Sequence, residues 1–479
     1  MLVTFLVATA LLLLVTMTLL AVVLLVKGND HEQSTLTNVG TEDGGLQDSK
    51  DVSVGSAATF EIGLNTPATT KHGSGYAPST PAVSVPSGPS RLLCTVHMGF
   101  DRNTFEFPPD GLCSIITFNS LFGPDGNTLQ PPYKDDFVYF LDTAVEGVQT
   151  EYAIGIDHED EAKVNNLVAD PSTKTNLDSL WDQGVYHYAQ VNTPAIQADN
   201  DVFEYITQSA RGLQMISALM NDKKQESGSL PSYTILHYPL KSDEVAPDVL
   251  KALRGSPVDI FVAIAYVAYD DHNNPECRMV PPVIYSSYFL MPDQLDGLYG
   301  IRLDRVLSTL ESMRDNWPST TMIAVSIGMG ARMYSPRYPD KLPDTPGNFS
   351  LGEQCKPTGR AEQIISITEV CENPIYKSPE FDGRYQSFYL YDKSKALMYA
   401  YETAATLRFK LCDTKREVQS LRYTIVADNI ELADIHNACG YGEYGEVRML
   451  EVLARFLVYS YSAPQDDAAC KEVLYYEKK

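Results

Sequence analysis

VDIFVAIAYVA, Val258–Ala268, holds one acid at its second position and then nine residues that are apolar or aromatic. A short run without polar alternation reads as a strand covered on both faces. Such strands belong to parallel sheets, whose crossover helices shield both sides. Seven more strand-like runs lie around it: Leu92–Met98, Leu112–Phe118, Tyr152–Ile156, Val185–Val191, Tyr233–Leu240, Thr321–Gly330 and Tyr423–Ile430. Helical patterns fall between and after them. One, opened by Asp199, places Val202, Phe203, Ile206, Ala210, Leu213 and Ile216 at three- and four-residue steps. Others are expected around Val249–Leu253, over Leu303–Met313, over Lys395–Lys410 and over Val447–Val458. Eight short strands alternating with helices predict an α/β chain folded as a (β/α)8 TIM barrel, better than an open Rossmann sheet. No glycine-rich phosphate fingerprint follows the first strand. A long excursion between strands seven and eight, residues 333–392, is expected to be a small insertion domain within a barrel of residues 91–465. Residues 466–479 are left as a tail.

The amino-terminal part is a different polymer. Leu2–Val26 is an unbroken run of apolar residues and threonine. A signal-peptide core needs about 7–15 apolar residues and a spanning helix roughly 20. Residues 1–27 therefore predict an uncleaved transmembrane signal anchor, with a cleaved signal and a secreted product as the alternative. Residues 28–90 are rich in Ser, Thr, Gly and Pro and hold too few large apolar side chains to offset chain ordering, which predicts a disordered stalk. A coil of that length spans on the order of 40–45 Å. The 479-residue chain carries a formal net charge of −25, which excludes a basic surface for nucleic acid. Its eight cysteines, an even number in a secretory setting, favour disulfides. Asn348-Phe349-Ser350 is a sequon for N-glycosylation in the excursion. Asp157-His158-Glu159-Asp160 could hold a cation, but without a second spaced cluster a polar loop is expected, and neither metal nor cofactor is predicted.

Several segments together resemble glycoside hydrolase family 18, the chitinases and chitinase-like lectins. LLCTV with PPDGLCSIITF is similar to that family's first two strands. VDIFVAIAY is similar to its sixth, with Asp259 and Tyr266 matching and Val267 where the family has an Asp. SIGMGAR is similar to the seventh through Arg332, SITEVC to the inserted domain, and FYLYDKSKA to the following stretch through Tyr391, Asp392 and Ser394. ADNIELADIHNACG is similar to the tail of the eighth strand, with Asp434, Cys439 and Gly440 retained and Asp428 where the family carries a sugar-stacking Trp. The resemblance covers roughly residues 91–440. It implies a barrel, a glycan ligand such as chitin, and disulfides Cys94–Cys113 and Cys371–Cys439; the pairing of Cys277, Cys355, Cys412 and Cys470 stays open.

The resemblance places the family's catalytic Glu, which protonates the glycosidic oxygen, near Asn192 or Thr193. From Gly184 to Gln197 there is no Asp or Glu at all. The expectation is a catalytically inactive chitinase-like protein, membrane-anchored with an extracellular barrel. Its expected ligand is chitin or another N-acetylglucosamine glycan, met by Tyr186, Tyr188, Tyr266, Arg332 and Asp428. Two alternatives stand beside it: a barrel that displays loops to a protein partner, and a divergent glycosidase built on strand-end carboxylates such as Asp157, Asp270 and Asp428. Most barrel tyrosines, however, serve packing, and most strand-end acids are solvated loop residues.

Overall fold

The computed structural model describes residues 92–120, 122–123, 126–127, 129–158, 163–193, 201–228, 230–267, 277–286, 299, 301–337, 351–356, 364–373, 379–439, 448–458 and 470–471. Seven parallel strands come first: β1 (Leu93–His97), β2 (Ile115–Asn119), β3 (Glu151–Asp157), β4 (Val185–Val191), β5 (Thr234–Pro239), β6 (Ile260–Ile264) and β7 (Met322–Gly328). The eighth barrel strand arrives only at Thr424–Asp428. It pairs in parallel with β7 on one side and with β1 on the other, which closes the barrel. Every strand expected from the sequence is present and in the expected order. The (β/α)8 architecture therefore rests on this closure.

Each strand sends alternate side chains inward. Leu93, Ile115, Ala153, Ala189, Val191, Ile235, Ile260, Val262, Ala324 and Val426 form the apolar filling of the barrel. The outward residues meet the helices in the larger core, where Phe118, Tyr238, Phe261 and Leu307 are buried; burying such side chains stabilises by about 1.5–3 kcal/mol each. At the amino-terminal end of the barrel, Tyr233 donates its backbone N–H to His187 Nδ1 at 2.9 Å. This leaves Nε2 as the donor to Glu151 Oε2, 3.0 Å away. Polar groups at that end of a barrel serve stability.

The helices follow the apolar periodicity, with two corrections. The helix assigned to Asp199 starts later: α4 runs Val202–Leu219 and is capped by Asp201, whose side chain accepts from the Glu204 N–H. Asp199 itself lies outside the described residues. The helix expected over Lys395–Lys410 is two elements. Leu397–Tyr401 is a strand, and a helix, Ala404–Lys415, begins only after a capping box made by Thr403 and Thr406. Sheet pairing on both sides of Leu397–Tyr401 overrides its helical spacing. Sequence reading also passed over α1 (Asp135–Glu146), α2 (Val164–Ala169), α3 (Pro171–Asp182) and α5 (Asn221–Glu226), although Phe137, Phe140, Leu141 and Ala144 show the buried helical spacing in the first. The helices expected around Val249–Leu253 and over Leu303–Met313 are α6 (Ala246–Gly255) and α7 (Leu303–Met313).

The strand Leu397–Tyr401 belongs to the insertion. There five antiparallel strands, β8 (Ala331–Tyr334), β9 (Ile364–Ile365), β10 (Glu380–Asp382), β11 (Ser387–Asp392) and β12 (Leu397–Tyr401), lie in the order β9-β8-β12-β11-β10. The inserted sheet spans residues 331–401. Its own core includes Tyr334, Tyr385, Tyr389 and Met398. All eight cysteines are bonded: Cys94–Cys113 and Cys371–Cys439 as the resemblance implied, and Cys277–Cys355 and Cys412–Cys470 in addition. No helix among the described residues is long and apolar enough to cross a membrane. Leu2–Val26, the 28–90 stalk, Asn348 and Asp270 lie outside the described residues.

Candidate functional site at the mouth of the barrel

One inward step beyond the apolar filling, toward the carboxyl ends of the strands, the interior turns polar. Thr95 follows Leu93, His237 follows Ile235, Ser326 follows Ala324 and Asp428 follows Val426, all buried. Active sites of this architecture collect at that end. Thr95 Oγ1 donates to Asp428 Oδ1 at 3.0 Å and accepts from the Asn429 N–H at 2.9 Å. His237 Nδ1 stands 4.0 Å from Asp428 Oδ2. Tyr266 also bonds the carboxyl, and Ser326, whose hydroxyl makes no well-aligned bond, sits beside it. The Tyr266 ring lies against Gly328, where a Cβ would come within 2.6 Å of Tyr266 Cδ2; only glycine leaves room for it there.

Burial governs the protonation of this cluster. It pushes the Asp428 carboxyl up, against the opposing pull of His237 and the Thr95, Ser326 and Tyr266 hydroxyls. The same burial pushes the His237 imidazole down, against the attraction of Asp428. Desolvation of both charged forms thus favours a neutral acid beside a neutral imidazole. Just past the strand, burial pushes Glu431 up to about 8, the Asp428 carboxyl adding to it while backbone N–H groups oppose. Glu431 Oε2 is enclosed and has no hydrogen-bond partner.

The end of β4 carries a second network. Asn192 takes a left-handed backbone, φ 58°. It donates from Nδ2 to Asp157 Oδ2 at 2.6 Å and accepts at Oδ1 from Asn119 Nδ2 at 3.0 Å. Thr193 is 1 % exposed. Its hydroxyl donates to the His237 carbonyl at 2.8 Å and meets the Tyr205 hydroxyl at 2.9 Å. Tyr205 comes from α4, also accepts from Gln190 Nε2 at 2.7 Å, and lies 2.9 Å from His158 Nδ1.

Of the residues expected at a ligand, Tyr266 and Asp428 meet at the mouth. Tyr186 and Tyr188 have the opposite parity on β4 and face the helices. Tyr186 packs on Trp181 with ring centroids 5.3 Å apart, and Tyr188 is fully buried. Arg332, also fully buried, donates to the Tyr334 hydroxyl at 2.6 Å and to the Val267 carbonyl, joining the inserted sheet to the segment after β6. Sequence reading missed Thr95, His237, Ser326 and Tyr205. The usable signal for the first three is a polar residue at the inward parity of an otherwise apolar strand.

No protein-family profile and no curated protein matches the chain. Solved structures do. YKL-39, solved in the presence of chitooligosaccharides, is 9% identical with a TM-score of 0.53, covering 77% of this chain and 100% of its own. The fold is the one these chitinase-like barrels share. Catalytic domain 2 of an Ostrinia furnacalis Group II chitinase is 13% identical with a TM-score of 0.51, covering 78% of this chain and 97% of its own. The immunomodulatory active chitinase TsES1 from Trichuris suis is 11% identical with a TM-score of 0.51, covering 75% of this chain and 98% of its own.

Proposed function

We propose that the chain is a catalytically inactive chitinase-like protein, held at the extracellular face of a membrane by Leu2–Val26 and carrying its barrel on the 28–90 stalk. The observation that carries the proposal is what fills the inward positions of β4. Ala189 and Val191 are part of the apolar filling. Beyond them the left-handed Asn192 turns its amide to Asp157 and Asn119, and the Thr193 hydroxyl is bonded to the His237 carbonyl and to Tyr205. The family's acid position falls near Asn192 or Thr193, and neither carries a carboxyl. Neither an amide nor a hydroxyl can act as the tuned carboxylic acid that glycoside hydrolysis requires.

The carboxyl groups nearby do not replace it. Asp428 is buried under Thr95 and Tyr266. Glu431 has the raised pKa of a general acid, but its Oε2 is enclosed by protein. Four disulfides support an extracellular or secreted setting for the barrel.

An N-acetylglucosamine glycan is the ligand class supported by the neighbours, YKL-39 among them. A second reading, display of loops to a protein partner, is favoured by Tyr186, Tyr188 and Arg332, which serve packing instead of lining the mouth. Retention of the purified protein on chitin beads at moderate salt, competed by soluble chitotetraose, is expected on the glycan reading. Passage without retention removes it in favour of loop display.

A further inference from the structure

The four disulfides differ in their access to solvent. In Cys94–Cys113, Cys277–Cys355 and Cys412–Cys470 all six residues are at most 1 % exposed. Cys371 and Cys439 are both only half-buried. Cys371 lies in the short helix α8 (Ile367–Glu372), and Cys439 in the segment that leaves the eighth barrel strand. A cleft reaches Cys439 between Ile367, Asp434, Asn437 and Met449. The Asp434 carboxylate holds that side of the bond, accepting from the Ala438 N–H at 2.7 Å and the Cys439 N–H at 3.1 Å.

We propose that Cys371–Cys439 is a thiol–disulfide exchange site, opened by a dithiol reductant while the other three bonds stay closed. Exchange needs a thiolate in line with the sulfur it attacks, so access decides which bond reacts. A thiolate of the reductant enters the cleft and attacks Cys439 Sγ. The Cys371–Cys439 bond breaks, and Cys371 leaves as a thiolate that takes a proton from water. The second thiol of the reductant attacks the mixed disulfide, closes its own disulfide ring and releases Cys439, which is protonated in turn. Two electrons pass from the dithiol to the protein. The bond joins residues 68 apart in sequence. Once it opens, Thr368 Oγ1 to the Ala433 carbonyl, at 3.3 Å, is a remaining tie between α8 and the strand-eight exit. Opening therefore loosens the segment that leads away from Asp428 and Glu431. The inference rests on burial and does not depend on the proposed function.

The test uses the intact, oxidised full-length chain in native buffer. It is treated with dithiothreitol for timed intervals, alkylated, then fully reduced and alkylated with an isotopically heavy reagent. Peptide mass spectrometry should show Cys371 and Cys439 labelled together at least tenfold faster than the other six cysteines. Simultaneous labelling of all eight, prior labelling of another pair, or no labelling before denaturation overturns the assignment. Hydrogen exchange of the partly reduced protein should rise in residues 367–372 and 429–439 and stay unchanged in β1–β4. A uniform rise overturns the local loosening.

Discussion

Thr95 and Asp428 meet across the seam where the barrel closes, the threonine hydroxyl donating to Oδ1 at 3.0 Å while taking the Asn429 N–H at 2.9 Å. One hydroxyl therefore satisfies a buried carboxyl and a buried backbone amide. Thr95→Val keeps the shape and removes both bonds. Leaving such groups unmade costs roughly 1–3 kcal/mol each, so chemical denaturation should show a loss of at least about 1–3 kcal/mol. Asp428→Asn, which preserves an acceptor for Thr95, should cost less than Thr95→Val. The reverse order would mean that the carboxyl is needed as an anion.

Glu431 makes stability depend on pH. Its folded pKa of about 8 exceeds the ordinary 4.5. Between those values the folded chain keeps a proton that the unfolded chain has released, so stability falls as pH rises through this window and levels off above it. Glu431→Gln should flatten that fall when urea midpoints are compared at pH 5 and pH 8. An unchanged slope in the variant would place the titration elsewhere.

The inserted sheet is fixed to the barrel by a buried ion pair. Lys410 Nζ donates to Glu402 Oε1 at 2.6 Å, to Ser387 Oγ at 2.7 Å and to the Val283 carbonyl at 2.8 Å, with both charged side chains sealed. Removing one partner of such a pair costs about 3–5 kcal/mol, whereas replacing both with apolar residues is often neutral. Lys410→Met should therefore unfold the protein at markedly lower denaturant concentration. Adding Glu402→Leu should recover much of the loss, and a double variant as weak as the single one would count against this account.

The eight barrel strands were legible because each is a short apolar run bounded by turn residues, and their order followed from the chain. The inserted sheet was harder to read. In FYLYDKSKALMYAY the apolar spacing fits helix and strand alike, and the matter is decided by pairing of Leu397–Tyr401 with its neighbour β11 on one side and with β8, distant in sequence, on the other. Around β4 the sequence showed chiefly that no Asp or Glu stands between Gly184 and Gln197. Asp428 and Tyr266 could be picked out singly. Their meeting, and the part of His237, Thr95 and Tyr205, depend on which way a strand side chain points, and that is set by barrel closure.

Introducing a single acid at Thr193 should not create an enzyme. Thr193→Glu puts a longer, ionisable side chain into a position that is 1 % exposed and bonded to His237 and Tyr205. Overpacking alone costs about 1–3 kcal/mol. Residues that act as a unit do not return activity one at a time. Lower thermal stability with no gain in hydrolysis is expected, measured by melting and chitooligosaccharide turnover. Recovered turnover would mean that the rest of the machinery is intact.

The central claim, that this barrel does not hydrolyse chitooligosaccharides, is tested most directly with purified protein and a fluorogenic chitobioside. A general acid supplies about 10²–10⁴-fold of rate, and without one the release of fluorophore should match the buffer blank from pH 4 to pH 8. Turnover above the blank that disappears in Asp428→Asn or Asp157→Asn would contradict the account and establish a divergent glycosidase.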